Sequence, residues 1–236
     1  MKKQILLAGL LALGAAAHAD LLRVRALGGI TTFTLADVNA ALDKSKASYE
    51  SFGMTEKKNT RASTGYMAGL EVASGLLIPL PFVEIAARGE IAGATSEYLY
   101  EGSGQFASNK SDLLLTNGLL GLVVGIDLPL TGLGLGLGAY GGYGYLVDKS
   151  TSASQIGLSS SASGAQYTGS AFVSELEAKL KYSLIPMVAL DIFGGMRFAN
   201  FASISDGNNT LKNSKGENLA FDMSGFNAGV GLTVGF

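Results

Sequence analysis

Leu128–Val147 reads LPLTGLGLGLGAYGGYGYLV, 20 uncharged residues of which seven are glycine. The length suits a membrane-spanning helix, but each glycine costs up to ~1 kcal/mol against alanine in a helix. The periodicity also points elsewhere. Leu133, Leu135 and Leu137 alternate strictly with Gly132, Gly134, Gly136 and Gly138. Period two belongs to a strand with two unlike faces. The GLGLG run has no βαβ unit around it, so it does not read as a phosphate-cradling loop.

The alternation recurs on both sides of this stretch. In 170–183, Phe172, Leu176, Ala178, Leu180 and Tyr182 share one face, and Val173, Glu175, Glu177, Lys179 and Lys181 the other. In 82–99, Val83, Ile85, Ala87, Ile91 and Leu99 oppose Glu84, Arg88 and Glu90. In 187–199, Val188, Leu190, Ile192, Met196 and Phe198 oppose Asp191 and Arg197. A soluble sandwich alternates too, but its strands usually run about five or six residues, whereas a tilted membrane strand needs about nine to eleven. Phe172 and Tyr182 lie ten residues apart on one face, as do Phe226 and Phe236. That spacing matches an apolar band with an aromatic anchor at each interface. Tyr66, Tyr143, Phe172, Phe198 and Phe226 are expected in one girdle, and Tyr182 and Phe236 in the other.

Composition agrees. Charged residues make up only 15% of the chain and the formal net charge is −2, which excludes a disordered chain and argues against nucleic acid as a partner. Cysteine is absent, so no disulfide framework or thiolate metal site is available. Residues 1–19 carry Lys2 and Lys3, an apolar run from Ile5 to Ala17, and Ala17-His18-Ala19 before Asp20. This is the pattern of a secretory signal peptide cleaved between Ala19 and Asp20. Residues 20–236 are then expected to form a single domain, exported to the outer membrane of a Gram-negative-type envelope. Removal of the leader leaves 15 basic against 19 acidic residues and takes away the sole histidine.

All four prolines sit in short apolar connectors: Pro79 and Pro81, Pro129, and Pro186. Proline lacks a ladder donor and marks strand reversals. Longer polar stretches, 37–61, 101–111, 148–169 and 200–218, lie between them. Short periplasmic turns alternating with long external loops give an antiparallel up-and-down barrel. Eight strands are expected near 22–35, 62–76, 82–100, 112–127, 131–147, 170–184, 187–199 and 219–236, with both termini periplasmic. Thr34-Leu35-Ala36-Asp37 loosely fits a capping box. A short helix over 35–47, lying across the mouth, and a solvated loop are equally compatible with that segment. Loop 148–169 reads as flexible and surface-displayed, with seven serines between 150 and 163.

The last strand, FDMSGFNAGVGLTVGF, ends on Phe236 and has Val234 on the same face. It resembles the C-terminal signal read by the barrel-assembly machinery. With the leader and the eight-strand layout, the chain resembles the small OmpA/OmpX-like outer-membrane barrels along its whole mature length. That resemblance implies outer-membrane lipid and lipopolysaccharide as surroundings, the assembly machinery as a partner during biogenesis, and a monomer. It implies no cofactor.

Facing the lumen are expected six cations, Arg23, Arg25, Arg88, Lys179, Lys181 and Arg197. Opposite them are seven anions, Glu71, Glu84, Glu90, Asp127, Glu175, Glu177 and Asp191. An eight-stranded barrel is just wide enough for side chains to fill it. Near balance of charge points to paired packing; an ion-selective pore would carry an excess of one sign. Enzymatic barrels of the PagL and PagP kinds depend on a histidine beside a serine, and the mature chain has no histidine. No enzyme is expected. Two functions remain: a structural or surface-interaction barrel, or a narrow OmpW-like conduit. The bare inner wall along Gly132–Gly138 is either room for water or packing space for long side chains.

Overall fold

The computed structural model describes residues 22–75, 78, 80, 82–128, 131–157, 159–212 and 216–235. The leader, the Ala19–Asp20 cleavage site, Pro79, Pro81, Pro129 and Phe236 lie outside the described residues. The period-two segments form the strands, in the order β1 (Arg23–Thr32), α1 (Ala36–Ser51), β2 (Thr55–Thr60), β3 (Thr64–Ser74), β4 (Val83–Gly102), β5 (Gln105–Asp127), β6 (Leu133–Ile156), β7 (Ser159–Ile185), β8 (Val188–Phe201), β9 (Phe221–Asp222) and β10 (Gly225–Gly235). β1, β3, β4, β5, β6, β7, β8 and β10 pair antiparallel in sequence order. The ring closes where β10 pairs with β1, from Arg23↔Gly235 to Thr31↔Asn227. The result is an eight-stranded up-and-down barrel.

The outer surface is apolar, which identifies its solvent. Leu120, Leu137 and Ile192 are 67%, 65% and 64% exposed. A continuous belt of such residues is untenable in water and fits lipid. Tyr66, Tyr143, Phe172, Tyr182, Phe198 and Phe226 all project outward with it. Tyr143 and Phe172 face each other across β6 and β7, their rings edge to face at 6.2 Å. Ten residues from Phe172 to Tyr182, at ~3.3 Å each and a tilt of ~40°, span about 25 Å, the height of an outer-membrane apolar band.

Two expected loops are sheet instead. Segment 101–111 is a hairpin in which β4 and β5 run in register up to Gly102↔Gln105. Its two-residue turn, Ser103 (φ 52°) and Gly104 (φ 75°), has the positive φ pair that suits the twist of a tight hairpin. Segment 148–169 is likewise regular: β6 and β7 pair without interruption up to Ile156↔Ser159. Both segments alternate polar with small residues, so a hydrophobic period could not announce them. Segment 37–61 contributes α1 and then β2, which pairs with the upper part of β4. Above the barrel rim β2, β4, β5, β6 and β7 thus form a one-sided wall. The short turns lie at the opposite end; in the described one, Pro186 precedes Met187 at φ 73°.

The helix is longer than 35–47, and the capping box does not form. Leu35 stands at the N-cap in a left-handed conformation without a side-chain cap, while the Thr34 hydroxyl donates to the Ser224 carbonyl at 3.0 Å. Burial of Leu35, 1% exposed, holds it there. Among the described residues no helix is long and apolar enough to cross a membrane.

Candidate functional site: the filled lumen and its apolar stopper

Inward positions of all eight barrel strands meet in one polar network. Nearest the short-turn end, Lys181 pairs with Asp127 at 3.0 Å, both partly exposed. Arg23 pairs with Glu84 at 2.7 Å and reaches Glu71 at 3.4 Å. At mid-height Arg25 lies between Glu177, at 2.7 Å, and Asp191. Arg88 donates to Glu71 at 2.6 Å and to Glu177 at 2.9 Å, and is 3.4 Å from Glu175. Higher still, Arg197 faces Glu90 at 3.7 Å and donates to Thr31 Oγ1 at 2.9 Å and to the Met223 carbonyl at 3.2 Å. Lys179 lies 3.8 Å from Glu71.

Nine of the thirteen charges expected in the lumen therefore meet in one ion-paired group; Arg197 and Glu90 form a separate pair joined to it through Thr31, Asn227 and Glu175, and Lys181 and Asp127 stand apart at the rim. Arg25, Arg197 and Glu71 are wholly buried. A charge so far from water is tolerable only with well-placed counter-charges, and breaking such a set leaves an uncompensated ion. Among the described residues, no cluster of histidine, cysteine and carboxylates is arranged to hold a metal.

The lumen has members that charge counting does not find. Each central guanidinium lies over an aromatic ring: Arg88 over Tyr140 at 3.9 Å, Arg25 over Phe193 at 4.8 Å, and Arg197 over Phe33 at 5.2 Å. Tyr140 also donates to Glu71 at 2.7 Å. Asn117 donates to Glu90 at 2.7 Å, Asn227 to Glu175 at 3.4 Å, and Thr233 to Asp191 at 3.1 Å. The parity that puts Gly134, Gly136 and Gly138 inward also puts Tyr140 inward, so this residue was within reach of the sequence.

The glycine strip is packing space. A Cβ at Gly136 would come within 2.8 Å of the Lys179 stem, and one at Gly138 within 2.6 Å of the Tyr140 ring. At Gly134 it would strike Asp127. The missing side chains are the volume that Lys179, Tyr140 and Asp127 occupy.

Above the charges lies an apolar layer absent from the sequence reading. Phe33, Leu35, Leu113, Leu115, Leu146, Val173, Phe201, Ile204, Phe221 and Met223 are all buried and pack as one cluster, with Val38 of α1, Leu211 and Leu219 against it. They arrive from strand tops, from the N-terminus of α1 and from the 201–223 connection. The lumen is thus filled by ions below and stoppered by hydrocarbon above.

The wall has its own small core, in which Tyr49 lies 5.3 Å from Tyr100 and 5.9 Å from Tyr98. Asp148 is buried above the membrane belt and accepts from Ser111 at 2.5 Å. Burial raises its carboxyl above the ordinary aspartate value, and the Ser111 hydrogen bond opposes this only in part. An acid whose folded-state pKa is raised loses stability as pH climbs from its unfolded to its folded pKa. Asp148→Asn should therefore be more stable than wild type at pH 7, with the advantage vanishing below the ordinary carboxylate range; urea unfolding at pH 7 and pH 3 checks this.

No family model matches the chain, and no curated protein matches it in sequence. Solved structures do. Neisserial surface protein A shares 10% identity at a TM-score of 0.42, covering 91% of this chain and 97% of its own. Ail, the attachment invasion locus protein of Yersinia pestis, shares 11% at 0.41, covering 91% and 99%. A major outer membrane protein from Thermus thermophilus shares 12% at 0.40, again covering 91% and 99%. At such identities the likeness is one of fold, and the eight-strand ring described above stands on this chain's own pairing.

Proposed function

We propose that the protein is an outer-membrane barrel with a closed lumen, without enzymatic activity, which acts through its surface: the body is a rigid anchor, and the wall of long hairpins is the external, contacting part. The observation that carries this reading is the double closure, an ion-paired layer beneath an apolar stopper. Conduction needs a continuous wet path, and charges arranged for selectivity show an excess of one sign. Here Arg25 and Arg197 are wholly buried, as is Phe201 above them. The wall supports the surface role, since 20- to 27-residue strands far exceed what the membrane demands.

Purified protein in planar bilayers should give no steady conductance. Robust, reproducible channels in the wild type would overturn the closed-lumen reading and put a conduit in its place.

A further inference from the structure

Among the described residues the wall has two edges without a further strand, and they are built differently. The β2 edge carries Lys57 and Lys58 and a register break between Glu56 and Lys58. Lysines and bulges are the devices that keep a sheet edge from pairing with another chain. The other edge is β7 from Ser159 to Tyr167, SSSASGAQY. Among the described residues it pairs only with β6, until Thr168 bridges to Ser205. It has no charge, no proline and no bulge, and Ser159–Gly164 are exposed. Nothing guards it.

The strand it already pairs with says what would fit there. β6 offers Ser150–Ile156, STSASQI; β7 at the same stage offers Ser159–Ala165, SSSASGA. Shifted by nine positions, Ser150, Ser152, Ala153 and Ser154 coincide with Ser159, Ser161, Ala162 and Ser163. On β6, Ser152 and Ser154 make hydroxyl pairs with Ser163 and Ser161 of β7, at 2.8 and 3.0 Å. A second β7, laid antiparallel on the free edge in the register that β6 keeps on the other edge, would set its Ser161 against Ser163 and its Ser163 against Ser161. Serine again stands opposite serine, in the alternate pairing class that the other edge of a strand offers, and Ala162 meets Ala162 on a two-fold axis. The edge is self-complementary. Its neutrality matters equally, because an identical copy brings identical charges and like charges opposite one another repel.

We propose that β7 is a homotypic docking strand, pairing antiparallel about Ala162 with β7 of a second copy held in an opposing membrane. The antiparallel sense places the two barrels at opposite ends of the joined sheet. With ten residues between Ala162 and Phe172 on each side, the two aromatic belts would stand about 50 Å apart at ~3.3 Å per residue and ~40° tilt. The proposal rests on the surface-contact reading above. Conductance tests that reading and vesicle clustering tests this one, so either can fail without the other.

Full-length protein reconstituted into phosphatidylethanolamine–phosphatidylglycerol vesicles should cluster them, as read by light scattering. S161K/S163K and S161E/S163E vesicles should each cluster roughly tenfold or more slowly, since like charges then face each other. Mixing the Lys and Glu populations should restore clustering, which neither misfolding nor loss of an unrelated contact could produce. The chain has no cysteine, so A162C should give reductant-sensitive dimers between vesicles, and A153C, inside the wall on β6, should not. Dispersed wild-type vesicles, failure of the mixed populations to cluster, or A162C dimers confined to one vesicle would each overturn the proposal.

Discussion

Arg88→Ala should destabilise the barrel by about 3–5 kcal/mol, the range for removing one partner of a buried charge set. Arg88 serves three carboxylates, Glu71, Glu175 and Glu177, and stacks on Tyr140. Its loss leaves those anions with weaker compensation and takes the cation from the ring. Urea unfolding in detergent micelles, or the temperature at which the folded form is lost on a gel, would read the effect. Pairing predicts a second result: Arg88→Ala combined with Glu177→Gln should lose less than the two single losses added, because contacting residues couple. Additive losses would argue that Arg88 acts through packing alone.

Phe201→Ala should cost about 3–5 kcal/mol by the same assay, as large-to-small changes at fully buried aromatic positions do. Phe201 is 0% exposed and packs within the stopper. Its removal should not open a channel, because the ion-paired layer beneath remains. A steady conductance in this variant would show that the stopper alone closes the lumen, and the two-layer account would have to be given up.

The strands that cross the membrane were legible because two solvents act on them at once. Lipid on one side and a polar lumen on the other force the side chains to alternate, as Leu176, Ala178 and Leu180 do against Glu175, Glu177 and Lys179. Outside the membrane that pressure ends. Ser150–Ser163 is built almost wholly of serine and small residues, so its pairing left no hydrophobic period. The stopper was hidden for another reason. Phe33, Leu146, Phe201 and Met223 come from separate strand ends and connections, and become neighbours only when the ring closes. The charges of the lumen could be enumerated from parity, but their partners depend on cross-barrel distance. Glu71 and Glu177, for instance, sit on non-adjacent strands and meet at Arg88.

Arg25 joins the first strand to the last ones across the lumen. Its two nearest carboxylates, Glu177 and Asp191, follow it by 152 and 166 residues, and a third, Glu71, lies on the neighbouring β3. A chain that has delivered only its early strands to the bilayer therefore holds Arg25 beside Glu71 of β3, at 3.7 Å, without the two nearer carboxylates. Completing the charge set of β1 is thus tied to closing the ring: β7 and β8 bring the nearest carboxylates to Arg25, and β10 seals against β1. The buried ions thus favour the complete circuit of strands over the open one, because only closure gives Arg25 all three of its carboxylates.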